Sequence, residues 1–199
     1  MFLYTACYMI KYSCDSPLIG TLAKVGNFSY HLLSGIDMPI KTQQYIQSFF
    51  TKNNGKEFVG FYTLDENWID RVCKYHFFTK FFRYEGRFKI VIDSLRDLTE
   101  KIANNLSHRN KDMDIFKKGC NWCSISNKFC AYLISKEGEI KRRFHHTFCA
   151  DEVFIQTILW NSPFKKNVYS TANENVGSLR EIDWTRGKPY TWGGKVRPF

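Results

Sequence analysis

Short apolar runs of strand type alternate along this chain with longer segments whose apolar residues recur at helical spacing. Residues 28–35 (FSYHLLSG) predict a buried strand that ends at Gly35, and residues 56–63 (KEFVGFYT) alternate in the manner of a second strand. Between these runs, residues 42–55 predict a helix that Thr42 caps and the sequence NNG ends. Because strands alternate with helices, the sequence predicts an α/β fold.

The rest of the chain continues this alternation. The last predicted helix carries Asp151 and Glu152 in its first turn, where the positive end of the helix dipole favours carboxylates. The further predicted elements are helices over 66–82, 87–106, 127–136 and 151–162, a strand or turn over 119–126, and a short strand within 178–184 that a turn follows.

Composition and charge narrow the class of protein. With 199 residues, 44% of them hydrophobic and 17% aromatic, the chain can build a core, and no repeat or linker divides it, so we expect a single domain over 1–199. The net charge of +10 would attract polyanions. The basic residues are scattered, however, and the longest clusters are Lys117-Lys118 and residues 141–143. The pattern favours a solvated basic surface or a phosphate-bearing small molecule over a nucleic-acid partner.

Seven cysteines and the character of the first residues bear on the compartment. An odd cysteine count without a cleavable signal favours a reducing, cytoplasmic location. The opening run of ten apolar residues is too short to cross a bilayer and is followed by Lys11, so no transmembrane segment is expected.

The cysteines could also bind a metal ion. Cys120 and Cys123 have the spacing of half a zinc site, and the second half would have to come from Cys130, Cys149 or the histidines at 145 and 146. Because those residues do not form a second close pair, the pattern favours small buried thiols over zinc. The adjacent residues His145 and His146 should point in different directions, which favours surface histidines over a catalytic pair.

Two charged groups are candidates for chemistry. The pair Asp151 and Glu152 at a helix start could divide its work, one carboxylate capping the helix and the other projecting into a cleft. Arg180, at the end of a predicted strand, could bind phosphate oxygens with its planar guanidinium. Taken alone, the pattern favours capping for the two acids and an ordinary ion pair for Arg180.

The order of four blocks is more informative than any one of them. LLSGIDMPIK (32–41), GCNW (119–122), DEVFIQTIL (151–159) and LREIDW (179–184) occur in one sequence. Together they resemble the core-2/I-branching β-1,6-N-acetylglucosaminyltransferase family, in the form found in bacteria. The resemblance extends over residues 26–190.

This resemblance implies an inverting glycosyltransferase with a GT-A-like fold that needs no metal ion. It would transfer N-acetylglucosamine or a related sugar from a UDP-sugar to a hydroxyl of a glycan acceptor. Glu152 matches the family's catalytic base, and Arg180 matches an arginine that contacts the donor diphosphate. Asp37 would shape the sugar-nucleotide cleft, Asp151 would cap its helix and orient Glu152, and Trp122 would take part in substrate binding.

The two ends of the chain depart from the family pattern. Family members begin with strands that hold uridine and end with a lysine that contacts the diphosphate, and neither Lys188 nor Lys195 is assigned to that role. We therefore expect an incomplete GT-A-like fold without its first nucleotide-binding strands and last block, with weak or no activity. Such a protein would be cytoplasmic, with a peripheral position at the membrane. The alternatives are a non-catalytic remnant and a basic module that binds zinc or nucleic acid.

Overall fold

The computed structural model shows seven helices and three strands in the part of the chain that it describes. The described residues are 29–33, 38–63, 66–77, 81, 85–106, 115–183 and 185–186. The strands are β1 (Ser29–Leu32), β2 (Phe58–Val59) and β3 (Cys123–Ser126). The helices are α1 (Gln43–Lys52), α2 (Glu66–Cys73), α3 (Lys89–Leu106), α4 (Asn127–Ser135), α5 (Glu137–Phe144), α6 (Phe154–Trp160) and α7 (Glu174–Ser178), with 3₁₀ turns at Ala150–Glu152 and Pro163–Asn167.

The three strands form one small sheet in the order β1-β3-β2. Both pairings are antiparallel, with Tyr30 opposite Ile125 and Phe58 opposite Ser124. This combination of helices with a small sheet is consistent with the predicted α/β class. Every residue of the central strand β3 is buried, whereas β1 is only half-buried, so the prediction of a buried strand over 28–35 is wrong in its burial.

Several predicted helices are confirmed with their boundaries. The Thr42 hydroxyl accepts a hydrogen bond from the Tyr45 N–H at 3.3 Å and thereby caps α1. Gly55 follows the helix with a φ of 79°, a value that glycine adopts without strain. The predictions of helices over 87–106 and 127–136 correspond to α3 and α4.

The helix predicted over 66–82 is wrong in its length, because α2 ends at Cys73. The chain leaves the helix to hydrogen-bond elsewhere. The Tyr75 N–H donates to Asn104 Oδ1 at 2.7 Å, the Phe77 N–H donates to Glu100 Oε1 at 2.9 Å, and the His76 N–H donates to the carbonyl of His146. These long-range partners replace the bonds of a continued helix.

The segment that contains both acids also differs from its prediction. Asp151 and Glu152 lie in the 3₁₀ turn Ala150–Glu152, and Val153 separates this turn from α6. The Glu152 carbonyl accepts a hydrogen bond from the Gly119 N–H at 3.0 Å. Because that carbonyl accepts from a residue outside the helix, it does not contribute to the first turn, and α6 begins only at Phe154.

The strand predicted within 178–184 is absent from the described residues there. Leu179 has a left-handed φ of 56°, and the Arg180 N–H donates to the carbonyl of Asn175, which closes the end of α7. A left-handed residue cannot continue as a strand.

A buried carboxylate joins β2 to the start of α4. Glu57 is fully buried, and its two carboxylate oxygens accept from the Ser126 N–H at 2.8 Å and from the Ser126 hydroxyl at 2.5 Å. The same hydroxyl accepts from the Phe129 N–H at 3.2 Å and so caps α4. Burial raises the pKa of Glu57 above its usual value, against the lowering effect of these hydrogen bonds.

The core lies between the sheet and helices α4 to α6. It contains the large side chains Phe116, Phe129, Ile140, Phe144, Phe154, Ile155 and Leu159. Two backbones meet beside it at Gly60 and Gly119. A Cβ atom added to Gly119 would lie 1.9 Å from the carbonyl oxygen of Gly60, a distance that no side chain tolerates. Glycine at position 119 is therefore required for the segment before β3 to lie where it does.

We expect Gly119→Ala to reduce the free energy of unfolding by about 3 kcal/mol, because the added methyl group must push two backbones apart. Gly138→Ala is the matched control. A Cβ at Gly138, within α5, meets nothing within 4 Å, so this change should stabilise the protein by about 0.5–1 kcal/mol. Urea unfolding of both variants measures the difference, and equal midpoints would contradict the close approach.

Candidate active site

The backbone of Glu152 is held by two local features. Cys149 enters the 3₁₀ turn with a left-handed φ of 51°, which reverses the chain just before the acids. Glu152 ends the turn, and its carbonyl is bound to the Gly119 N–H. The position of Glu152 is thus fixed relative to the segment that leads into β3.

The Glu152 carboxylate is half-buried and faces a cation. Its Oε2 atom lies 3.7 Å from Arg71 Nη1, and 38% of its side chain is exposed. Arg71 comes from α2, and its guanidinium lies over the rings of Trp68 and Phe148 at 5.9 and 5.4 Å from their centroids. Stacking on two aromatic rings orients the guanidinium toward the carboxylate.

The environment shifts the protonation of Glu152 in opposing directions. Burial raises its pKa most, and the neighbouring carboxylate of Asp151 raises it further, while Lys118 and Arg71 lower it. The net direction is upward. A half-exposed carboxyl group with a raised pKa and specific charged neighbours is a candidate for proton transfer.

Asp151 has a different role from the expected one. Its Oδ2 accepts a hydrogen bond from Asn121 Nδ2 at 3.2 Å. Neither the 3₁₀ turn nor α6 has a side-chain cap, so the prediction that Asp151 caps the helix is wrong. Burial raises the pKa of Asp151, and the bond from Asn121 opposes that rise. Asp151 therefore ties the 3₁₀ turn to the GCNW block.

Arg180 lies where strands β1 and β3 run side by side. Its Nη2 atom is 3.4 Å from the Leu32 carbonyl oxygen and 3.5 Å from Ser124 Oγ, and its Nη1 atom donates to the carbonyls of Ser178 and Leu179. Nearby His31 has a lowered pKa, mainly because it is desolvated and then because Arg180 repels its charged form. The LLSG block and the LREIDW block thus meet at this point.

The segment 119–124 connects the surroundings of Glu152 with those of Arg180. Gly119 binds the Glu152 carbonyl at one end, and Ser124 contacts Arg180 at the other. Trp122 lies half-buried between them, and its carbonyl accepts from Cys120 Sγ at 3.4 Å. Asp37 lies outside the described residues, so its place beside Glu152 and Arg180 stays a prediction.

Sequence reasoning missed the polar residues that hold this segment. The Glu174 carboxylate, which is 5% exposed, accepts from the Cys120 N–H at 2.6 Å, and Gln156 Nε2 donates to the Cys120 carbonyl at 2.7 Å. Gln156 belongs to the quoted DEVFIQTIL block, and its place in that block could have identified it as a site residue. Glu174 and Arg71 carried no local signal, because their partners lie far away in the sequence.

Three of the four cysteines considered for zinc are small buried residues, as the spacing favoured, but Cys149 is only half-buried. Cys120, Cys123 and Cys130 are buried, and burial raises the pKa of Cys120 and of Cys123 to about 12, which keeps both as thiols. Across the described residues, no three His, Cys, Asp or Glu side chains gather around a possible metal position. Nothing in this part of the chain supports the zinc or nucleic-acid alternative.

The two adjacent histidines do not point apart. His145 Nδ1 and His146 Nε2 lie 3.0 Å from each other, because both residues follow the end of α5 and are not on a regular element. The His146 ring also packs on Phe77, with 4.8 Å between the centroids. The prediction of diverging surface histidines is wrong on this point.

The site thus brings a half-buried carboxylate, Glu152, and a half-buried guanidinium, Arg180, into contact with opposite ends of one segment. The sequence profile of the Core-2/I-Branching enzyme family matches residues 20–195. The chain belongs to this family, whose members are glycosyltransferases acting on a sugar donor and an acceptor. No curated protein matches the chain. The helices of the described segments are all too short or too polar to cross a membrane.

We expect Arg71→Ala to raise the pKa of Glu152, because it removes a nearby cation that favours the ionised carboxylate. Lys74→Ala is the control, since Lys74 pairs with Asp70 on the solvent side, 2.6 Å away. Titration of the carboxyl carbons by NMR measures both variants. An unchanged Glu152 pKa in Arg71→Ala would show that the contact is absent in solution.

Proposed function

We propose that this chain is an inverting glycosyltransferase that works without a metal ion. It transfers N-acetylglucosamine or a related sugar from a UDP-sugar to a glycan hydroxyl, with Glu152 as the base. The observation that carries the proposal is the half-buried Glu152 carboxylate, whose pKa is raised and which stands in the DEVFIQTIL block of a glycosyltransferase family. The proposed fold is GT-A-like and the proposed location cytoplasmic, with a peripheral position at the membrane.

The base is needed because a sugar hydroxyl is a weak nucleophile. Glu152 would take the hydroxyl proton as the acceptor oxygen attacks the anomeric carbon from the face opposite UDP. The new glycosidic bond forms as the bond from the anomeric carbon to the diphosphate oxygen breaks, which inverts the configuration. The raised pKa of Glu152 makes it a stronger base than an exposed glutamate, while Lys118 and Arg71 favour its ionised form.

The departing diphosphate gains negative charge, which a fixed cation must stabilise. Arg180 would supply this charge. Its contacts with the carbonyls of Leu32, Ser178 and Leu179 fix the direction of the guanidinium before the donor arrives. A guanidinium that is already oriented loses little energy to reorientation during the reaction.

The remaining proposed site residues position the substrates. Asp151 would hold Asn121, and through it the GCNW block in which Trp122 stands, close to the 3₁₀ turn of Glu152. Trp122 would contribute an apolar ring surface for a sugar. Asp37, in the LLSGIDMPIK block, would border the sugar-nucleotide cleft.

We expect Glu152→Gln to lower the rate of sugar transfer about 10²–10⁴-fold while donor binding is retained, because the amide cannot accept the proton. The measurement is UDP release with a panel of glycan acceptors. It is made on this chain and on a form joined to the first and last segments of a family member.

Glu139→Gln is the matched control for this experiment. Glu139 is similarly exposed, at 36%, and pairs with Lys136 at 2.9 Å, so its change removes an equivalent carboxylate away from the site. Full activity of Glu152→Gln would show that another group is the base. The sequence contains one Asp-x-Asp pair, Asp112 and Asp114, outside the described residues. Assays with EDTA and with Mg²⁺ or Mn²⁺ therefore test metal independence directly.

We expect Arg180→Ala to weaken UDP binding at least tenfold, because a charge-assisted contact to the diphosphate is lost. Isothermal titration with UDP measures this in the same two forms of the protein. Arg142→Ala, at an exposed position on α5, should leave the affinity unchanged. Equal affinities in both variants, with melting temperatures like that of the wild type, would remove Arg180 from the donor site.

A further inference from the structure

Helix α3 has an apolar stripe that faces outward. Six large apolar side chains form it, each between 49% and 81% exposed, and no residue of α3 is buried. The stripe consists of Phe88, Val91, Leu95, Leu98, Ile102 and Leu106. Contiguous exposed apolar side chains of this extent mark an interaction surface rather than ordinary surface.

The polar side of α3 is the side that contacts residues 75–77, which follow α2. Asn104 and Glu100 accept the backbone N–H groups of Tyr75 and Phe77, and Glu100 Oε2 lies 3.7 Å from His76 Nδ1. An amphipathic helix ordinarily turns its apolar side to the core. Here the orientation is reversed, and the described part of the chain leaves the stripe uncovered.

The spacing within the stripe is that of a helix–helix seam. Successive members are three or four positions apart from Phe88 to Ile102, which is the spacing of the apolar positions in a coiled coil. The central four residues, from Val91 to Ile102, are separated by four, three and four positions. That order is the same in both directions along the helix, so an antiparallel second copy would meet the stripe in a matched register.

Charge and area favour a protein partner over a lipid surface. Helix α3 contains three basic and three acidic residues, and Asp93 pairs with Lys89 and with Arg96 at 3.7 and 3.0 Å. It therefore lacks the basic excess that draws amphipathic helices to anionic membranes. Six large side chains that are about half exposed or more give an apolar area on the order of several hundred Å², comparable to what each partner of a small stable interface buries.

We propose that α3 pairs with α3 of a second copy of this chain through the stripe, about a two-fold axis. An isologous contact of this kind is closed, which is consistent with a stripe that matches itself. The pairing is independent of the proposed sugar transfer, because none of the stripe residues is assigned to the site.

The test is sedimentation equilibrium of the whole chain. The wild type should show a monomer–dimer equilibrium with a dissociation constant on the order of micromolar. Val91→Glu combined with Leu98→Glu should give the mass of one chain at every concentration, because four carboxylates would meet in the seam. Val176→Glu, at a 44% exposed position on α7, should dimerise like the wild type.

A milder variant distinguishes loss of the interface from loss of the fold. Leu95→Ala combined with Leu98→Ala keeps good helix formers and should raise the dissociation constant at least tenfold with an unchanged circular dichroism spectrum. A wild type that is monomeric at about 100 times the expected micromolar constant would overturn the proposal. So would unaltered dimers of both stripe variants, or a monomeric wild type whose binding to phosphatidylglycerol vesicles needs the stripe.

Discussion

The contact between the backbones of Gly60 and Gly119 determines where the segment before β3 lies, and the candidate site is attached to that segment. Because a Cβ at Gly119 would overlap the Gly60 carbonyl, the two backbones can approach only while residue 119 has no side chain. The approach brings the Gly119 N–H to the Glu152 carbonyl, and the next residues to Asp151 and Arg180. One steric condition therefore positions three charged side chains from separate parts of the sequence.

Buried carboxylates secure this segment at both ends. Glu174 accepts the N–H of Cys120, and Glu57 accepts the N–H and hydroxyl of Ser126. Charged acceptors make stronger hydrogen bonds to backbone donors than neutral ones do, and the low dielectric of the interior strengthens them further. The segment between these two carboxylates therefore forms a rigid support, from which Trp122 is presented half-buried.

Structural features that depend on neighbouring residues could be predicted from the sequence, whereas features that depend on distant partners could not. The cap at Thr42 and the bounds of α3 and α4 follow from neighbouring residues, and the four blocks led to the family. The early end of α2 could not be foreseen, because Glu100 and Asn104 take the backbone at 75–77 from far along the chain. For the same reason Arg71 was not identified as the partner of Glu152.

The two left-handed residues have a consequence for how sequences of this kind can change. Among the described residues, Cys149 and Leu179 are the non-glycine residues with positive φ, and each stands just before a candidate site residue, Glu152 or Arg180. A side chain in this conformation costs about 1–2 kcal/mol, which glycine would not. Glycine is therefore a ready substitution at both turns, one that would relax the backbone and give the adjoining charged side chain more freedom. A non-glycine residue at these turns holds the charged side chain more firmly but lowers the stability of the fold. Relatives with glycine at these turns should therefore be more stable and tolerate more destabilising substitutions elsewhere.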